Sequence, residues 1–430
     1  VPIGLAGGLI ALALLLACRD APDPSGRVLL LGIDGADLRL AAPLMDQGRL
    51  PNLSRIAEEG VAGPLRSHRP LLSPRIWTSV ATGKNPARHG ILGWVTRDAE
   101  GSIRLYGGQD RRGHALWNIV SDAGLEVGVV NWLNTYPPER IRGVMVSDHA
   151  LPGEAQGRRN LGEIFARNRY GEPLSESGPL EEPGPVVFPP VWAARLAGLV
   201  SDPGPFREEL LQDDESRLRW VTGTNLSRDQ EIAEIAVAID VELRPDLLMV
   251  LLQGIDRVSH VLWASVEPED LYPKDQRLSP SQRQSWRQAL HHYYEQTDVL
   301  IGALVERFGP DDLVLVVSDH GFEAVVGQVG TGGHDSPNAQ EGVLFGRGPG
   351  VPSGEPAGQV SVNDVTPTIL AWLGLPRAAD MDGRPAAFLR VAPRDTIETY
   401  DTTPIERVTD APSGAEGDIL RQLRSLGYVE

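Results

Sequence analysis

Val28-Leu29-Leu30-Leu31-Gly32-Ile33-Asp34-Gly35 is the stretch that decides the fold. An unbroken apolar run of this length, closed by an acid and a glycine, reads as a parallel strand buried on both faces. The pattern returns in Asp246-Leu247-Leu248-Met249-Val250-Leu251-Leu252-Gln253-Gly254-Ile255-Asp256 and in Asp312-Leu313-Val314-Leu315-Val316-Val317-Ser318-Asp319-His320-Gly321. Helical stretches lie between these runs, so an α/β fold with a mostly parallel sheet is predicted. Ligands in such sheets bind beyond the carboxyl ends of the strands. Asp34, Asp256 and Asp319 all stand in that place.

One strand ending in aspartate usually means only a turn or a helix cap. Three on one sheet edge repel each other, and divalent cations are the usual offset. Histidines occur where such a site wants them. His260 follows Asp256 by four residues, His320 directly follows Asp319, and His334 lies in the glycine-rich loop Gly330-Thr331-Gly332-Gly333-His334-Asp335. Aspartate and histidine at i and i+4 share a helix face, so Asp256 and His260 can close on one ion. Mixed Asp/His ligation suits Zn2+, with Mn2+ the other candidate.

A second decisive stretch runs from Pro70 to Ile91 and contains Ser73-Pro74-Arg75-Ile76-Trp77-Thr78-Ser79-Val80-Ala81-Thr82-Gly83-Lys84-Asn85. Pro74 suits the first position of a helix, Ser73 is a good N-cap, and Gly83 ends the helix. This would place the Ser73 hydroxyl at the positive end of the helix, beside backbone N–H groups that favour an anion. Thr78 and Ser79 fall mid-helix, so Ser73 is the candidate nucleophile. Lys84 is placed either to reach a phosphate or to compensate the helix C-terminus.

The chain has 430 residues, 23% charged and 41% hydrophobic, which fits a globular domain of one large core or two smaller ones. A formal charge of −18 argues against binding a nucleic-acid polymer. An anionic substrate then needs local positive charge, which bound metal would supply. The single cysteine, Cys18, excludes an internal disulfide and closes an apolar run, Gly4 to Ala17, too short for a comfortable membrane span. Residues 1–18 read as a lipoprotein-type signal peptide with Cys18 as the lipidated residue, an uncleaved anchor being the alternative. Either reading exports the domain to the periplasm or cell surface and holds it at a membrane.

Residues 19–27 read as a tether, 28–149 as the first half of the core, and 150–225 as a cap or insertion rich in Pro, Gly and Glu. Residues 226–395 read as the second half and 396–430 as a polar tail ending in an amphipathic segment, Ile419 to Tyr428. Within the core, helices are expected over Pro51–Gly60, Leu116–Val120, Gln230–Glu242 and Ser281–Phe308, with strands over Val127–Asn131, Gly143–Ser147 and Gly342–Gly346.

Through Asp34, Ser73, Asp256-x3-His260, Asp319-His320 and His334, together with Thr82-Gly83 and His89-Gly90-Ile91, both core halves resemble the alkaline phosphatase superfamily. The resemblance is to its bacterial type I phosphodiesterase and nucleotide pyrophosphatase-like branch. It implies a three-layer α/β/α sandwich with an inserted cap and a phosphoric ester hydrolase using two divalent ions. One ion would be held by Asp256, His260 and His334, the other by Asp34, Asp319 and His320, with Ser73 completing the second as nucleophile and forming a phosphoserine. Nucleotide pyrophosphatases carry a phosphate-binding asparagine shortly after the His-Gly-Ile motif, and Gly93-Trp94-Val95 occupies that region here. Arg75, Lys84 and Asn85 are the candidates to replace that contact, and Trp94 is either a stacking surface for an aromatic substrate or a packed core residue.

A phosphodiesterase acting on a phosphate-ester substrate is the reading these features favour. The enzyme alternatives are a phosphotransferase or mutase, and a sulfatase. Sulfatases mature a Cys or Ser followed by Pro at +2 and Arg at +4, whereas Pro74 and Arg75 stand at +1 and +2. A non-catalytic surface binding protein is the reading from outside enzymology, and the full set of candidate ligands argues against it.

Overall fold

The computed structural model describes residues 26–98, 101–151, 184–200, 214–326, 331–392 and 394–409, with isolated positions up to 420. Cys18 and the expected leader, much of the expected insertion, and most of the segment from Ile419 to Tyr428 lie outside them.

The first elements are β1 (Val28–Ile33), α1 (Leu38–Asp46), α2 (Pro51–Glu59), β2 (Val61–Arg66), α3 (Ser73–Thr82) and α4 (Pro86–His89). A hairpin follows, β3 (Val95–Arg97) with β4 (Ile103–Leu105), then α5 (Leu116–Asp122), β5 (Val127–Val130), β6 (Gly143–Val146), β7 (Val187–Phe188) and α6 (Val191–Leu196). Next come α7 (Asp214–Leu243), β8 (Leu247–Leu252), α8 (Gly254–Leu262), α9 (Pro280–Val305) and β9 (Leu313–Val317). Short strands β10 (Glu323–Ala324) and β11 (Gly332–Gly333) precede β12 (Glu341–Arg347), β13 (Glu355–Pro356) and β14 (Val360–Ser361). The described chain then forms α10 (Val365–Trp372), β15 (Arg377–Ala378) and β16 (Thr396–Ile397).

The main sheet runs β13-β2-β12-β9-β1-β8-β5-β6-β7, with β14 also on β2. The three strands first read from the sequence are its centre. β1 pairs in parallel with β8 and with β9, Val28 lying opposite both Leu247 and Leu313. Equal register brings the three strand ends to one edge. β5 and β6 extend the parallel set, while β12 runs antiparallel between β9 and β2 and β7 closes the far edge antiparallel to β6.

Apolar side chains on both faces of β1 explain the layering. Leu29, Leu31 and Ile33 pack toward α1, α2, α7, α8 and α9, through Leu44, Ile56, Ile239, Val258 and Ile301. Val28 and Leu30 face the other way, toward Ile76 and Trp77 of α3, Ile119 of α5 and Ile369 of α10. The result is the three-layer α/β/α sandwich, with the sheet buried on both sides as a parallel sheet requires.

Four local expectations change. Helix α3 begins at Ser73 itself, with Leu72 as the extended N-cap residue and Pro74 next. The Ser73 side chain does not cap; its hydroxyl is drawn to Asp34 instead. The helix expected over Gln230–Glu242 starts far earlier, at Asp214. Its first half contains Val221-Thr222-Gly223-Thr224-Asn225, poor helix formers that packing overrides; Trp286 of α9 donates to the Asp214 carboxylate at its start. The expected strand Gly342–Gly346 is present but antiparallel. Finally, the stretch after residue 395 is not merely a polar tail: β16 pairs in parallel with β15, and Asp401 accepts hydrogen bonds from the backbone of His114 and from Lys84.

Candidate metal centre and nucleophile

Beyond the ends of β1, β8 and β9, the sequence-predicted residues converge. Ser73 Oγ donates to Asp34 Oδ1 at 3.3 Å and lies 3.4 Å from His320 Nε2. His320 Nε2 is 3.5 Å from Asp34 Oδ1 and 3.3 Å from Asp319 Oδ2. Asp256 Oδ1 lies 3.4 Å from His260 Nε2, 3.8 Å from His334 Nε2 and 4.0 Å from His320 Nε2. Two groups of three could each hold a cation, Asp34–Asp319–His320 and Asp256–His320–His334. The second differs from the expected Asp256–His260–His334 set. The His320 and His334 rings stack with centroids 3.8 Å apart, which brings His320 into both groups, while His260 joins through Asp256.

The donor chemistry fits cations. The Nδ1–H of His260 donates to the Gly332 carbonyl at 2.9 Å, and that of His320 to the Gly321 carbonyl at 3.0 Å. In both rings Nε2 is thereby left with its lone pair, the arrangement that backbone carbonyls impose on ligating histidines. Oδ2 of Asp319 is buried and carries no hydrogen bond among the described residues. Three carboxylates sharing one buried place are costly: burial, then Asp319 and Asp256, hold the Asp34 carboxyl well above the usual range, and burial raises Asp319 as well. Burial works in the same direction at Asp256, but the neighbouring His260, then His334 and His320, outweigh it and hold that carboxyl below the usual range. His334 is held well below its ordinary value by burial and by the two other imidazoles. These residues fit divalent cations, whose positive charge would relieve the carboxylate repulsion and favour neutral imidazoles.

Several supporting residues were missed in the sequence. Trp77 Nε1 donates to Asp34 Oδ2 at 3.1 Å. Its spacing was legible, since Trp77 follows Ser73 by one helical turn and shares its face. Gly35, with φ of 71°, donates its N–H to Asp319 Oδ1 at 3.2 Å, and a Cβ there would press on the Phe322 ring and the Asp256 backbone. Phe322 itself meets the His260 ring edge-on at 5.0 Å and that of His334 at 5.6 Å. Asn134, also with positive φ, donates to the Pro74 carbonyl at 3.0 Å and so grips the first turn of α3 from a distant loop. Nothing local in the sequence marks that contact.

The phosphate-contact candidates separate. Lys84 and Asn85 follow the far end of a ten-residue helix, about 15 Å along its axis from Ser73. The Lys84 ammonium is buried and paired with Asp380 and Asp401, each at 2.7 Å, so it is a structural cation and not a substrate contact. The Asn85 side chain accepts from Asn363, away from the cluster. Trp94 is half-buried and packs against Leu105 and Ile419, as a core residue would. Arg75 stays at the Ser73 end of α3 and donates to the Arg69 carbonyl at 3.2 Å. Thr78 and Ser79 are buried and bonded to the carbonyls of Pro74 and Arg75, as mid-helix hydroxyls.

Comparison with known proteins bears on the fold and the family. The chain has no significant sequence match among curated proteins. Among solved structures, the 2-O GAG sulfatase BT1596 shares the fold, at TM-score 0.53 and 14% identity over 85% of this chain and 74% of that one. Human ectonucleotide pyrophosphatase / phosphodiesterase 5 aligns at TM-score 0.46 and 11% identity, covering 81% of this chain and 95% of its own. Phosphonoacetate hydrolase from Sinorhizobium meliloti 1021 aligns at TM-score 0.39 and 18% identity over 70% of this chain, which spans only 57% of that protein. The profile of the type I phosphodiesterase / nucleotide pyrophosphatase family matches residues 28–367. That match takes in the three candidate aspartates, the three candidate histidines and Ser73, and the chain belongs to the type I phosphodiesterase / nucleotide pyrophosphatase family.

Proposed function

We propose that this chain is a metal-dependent phosphodiesterase that works through a phosphoserine on Ser73. One observation carries the reading: the Ser73 hydroxyl lies within 3.4 Å of both Asp34 and His320, at the cation group formed by Asp34, Asp319 and His320.

Asp34, Asp319 and His320 would hold one divalent cation, and Asp256, His260 and His334 the other, with His320 between them. Zinc fits the mixed donors best. When bound, the two ions supply positive charge for the phosphate and for the oxygens that gain charge in the reaction. Trp77 and the Gly35 N–H hold two of the carboxylates in orientation, while Phe322 lines the histidines with an apolar surface that excludes water. The hydroxyl proton of Ser73 is held at Asp34 Oδ1. Ser73 Oγ forms a bond to phosphorus as the bond to the leaving alkoxy oxygen breaks, and that oxygen departs as an alcohol by taking a proton from water. Water then cleaves the phosphoserine, releasing a phosphate monoester and restoring the hydroxyl. Arg75, at the same end of α3, is the remaining candidate for a direct phosphate contact. The leader around Cys18 supports an exported, lipid-anchored protein at the periplasmic or cell-surface side of a membrane.

Hydrolysis of a chromogenic phosphodiester beside its monoester, with zinc supplied, tests the reading. A diester preference is expected, with Ser73→Ala lowering turnover by at least about a thousandfold while zinc content stays near that of the unmodified protein. Full activity in Ser73→Ala would contradict the mechanism, and a monoester preference would contradict the substrate class.

A further inference from the structure

Helix α8 carries Asp256 and His260, yet the way it begins should pull Asp256 off the site. Gln253 is the N-cap, so Gly254 is the first helical residue and Asp256 the third. An acidic side chain at that third position is placed to fold back and accept from the N-cap backbone N–H, the acidic half of a capping box. Asp256 does not do so here. The Gln253 N–H donates instead to Oδ1 of Asp229 at 3.2 Å, and the Gly254 N–H donates to both oxygens of Asp229, at 3.3 and 3.2 Å.

Asp229 lies on α7, is 2% exposed, and accepts a further hydrogen bond from the Tyr293 hydroxyl of α9 at 2.9 Å. Gly254 leaves room for this clasp, because a Cβ there would collide with the Tyr293 hydroxyl and the Asp229 carboxylate. A buried carboxylate from one helix, steadied by a tyrosine from another, thus occupies the N–H groups that Asp256 would otherwise take.

We infer that Asp229 is a positioning residue for the metal site: it caps α8 in place of Asp256 and so frees the Asp256 carboxylate to bind a divalent cation with the histidines. This rests on the two-cation reading above. It predicts a selective defect. Without Asp229, Asp256 turns back to cap its own helix, the helix stays capped, and one of the two cations loses a ligand.

The test is zinc titration of the full chain against a chromogenic chelator, with thermal melts of the same samples. The unmodified protein should take up two equivalents. Asp229→Ala should weaken one of them by about tenfold or more, in the range seen when a residue orienting a metal ligand is lost, and leave the other within about twofold. Asp229→Asn keeps an acceptor oxygen for the two N–H groups and should restore most of the affinity. A merely structural role would lower the melting temperature and weaken both equivalents together, and that outcome overturns the inference. Two unchanged equivalents in Asp229→Ala overturn the inference while leaving the two-cation reading standing. An unmodified protein that binds no zinc or manganese overturns both.

Discussion

Lys84 separates what a residue's neighbours in sequence suggest from what its neighbours in space require. Just past a helix whose start bears the nucleophile, it reads equally as a phosphate ligand or as a counter-charge for the helix end. Its side chain is 6% exposed and meets two carboxylates from Asp380 and Asp401, which lie some three hundred residues later in the chain. No local pattern could announce that pairing. Replacing Lys84 with Met would leave both carboxylates facing a buried apolar group, and because the carboxylates keep some solvent the cost is about 2 kcal/mol, between that of an exposed pair and that of a buried one. Lys84→Met should therefore lower stability by roughly that amount in urea unfolding while kcat and KM of the folded fraction stay within about twofold. A residue that contacted the phosphate would show the reverse, a kinetic defect with unchanged unfolding. The metal-ligating candidates were legible for the opposite reason: strand-end position and i, i+4 spacing are local facts that the sheet merely brings together.

Helix α3 holds the proposed nucleophile at one end, and its middle is fastened by an unusual contact. The Ser79 hydroxyl sits between His68 Nε2 at 2.7 Å and His89 Nε2 at 3.0 Å. Burial first, then the nearby Arg75 cation, pushes His68 down to about 4. Burial, His68 and Arg75 push His89 down to about 3. Both rings are thus neutral in the fold and would charge near pH 6.5 when unfolded. As pH falls below about 6.5 the unfolded chain binds protons that the folded chain refuses, so stability is lost progressively toward pH 4. Above about 6.5 these two rings add no pH dependence. Thermal melts from pH 7.5 to 4.5 should show this decline, and a His68→Gln, His89→Gln double variant should show a shallower one; an equal slope would contradict the assignment. In the sequence His89 stands out only as part of the His89-Gly90-Ile91 motif. Its structural work depends on a loop before α3, so periodicity alone could not reveal it. The same limit applies to the start of α7, where weak helix formers are held helical by packing against α9.

For the whole molecule, the sheet was the most legible feature because its central strands are apolar on every residue, a pattern only burial on both faces explains. The edges were less so. β12 has an apolar centre, Val343-Leu344-Phe345, like the central strands and yet is antiparallel, since strand direction is set by connection length and crossing and not by composition. The site inherits this division. The candidate ligands at the parallel strand ends stand out in the sequence, whereas Phe322 and Asp229, which surround them or hold the helix that carries them, and Asn134, which grips the start of α3, come from loops and helices assembled only in the fold. The central claim is that the sheet places these ligands to make Ser73 a nucleophile. Mass spectrometry of the zinc-loaded protein, acid-quenched while turning over a slow phosphodiester, tests it most directly. A mass increase equal to the transferred phosphoryl group, mapped to the peptide containing Ser73, is the expected result; steady turnover with Ser73 unmodified, or with the adduct on another residue, would contradict it.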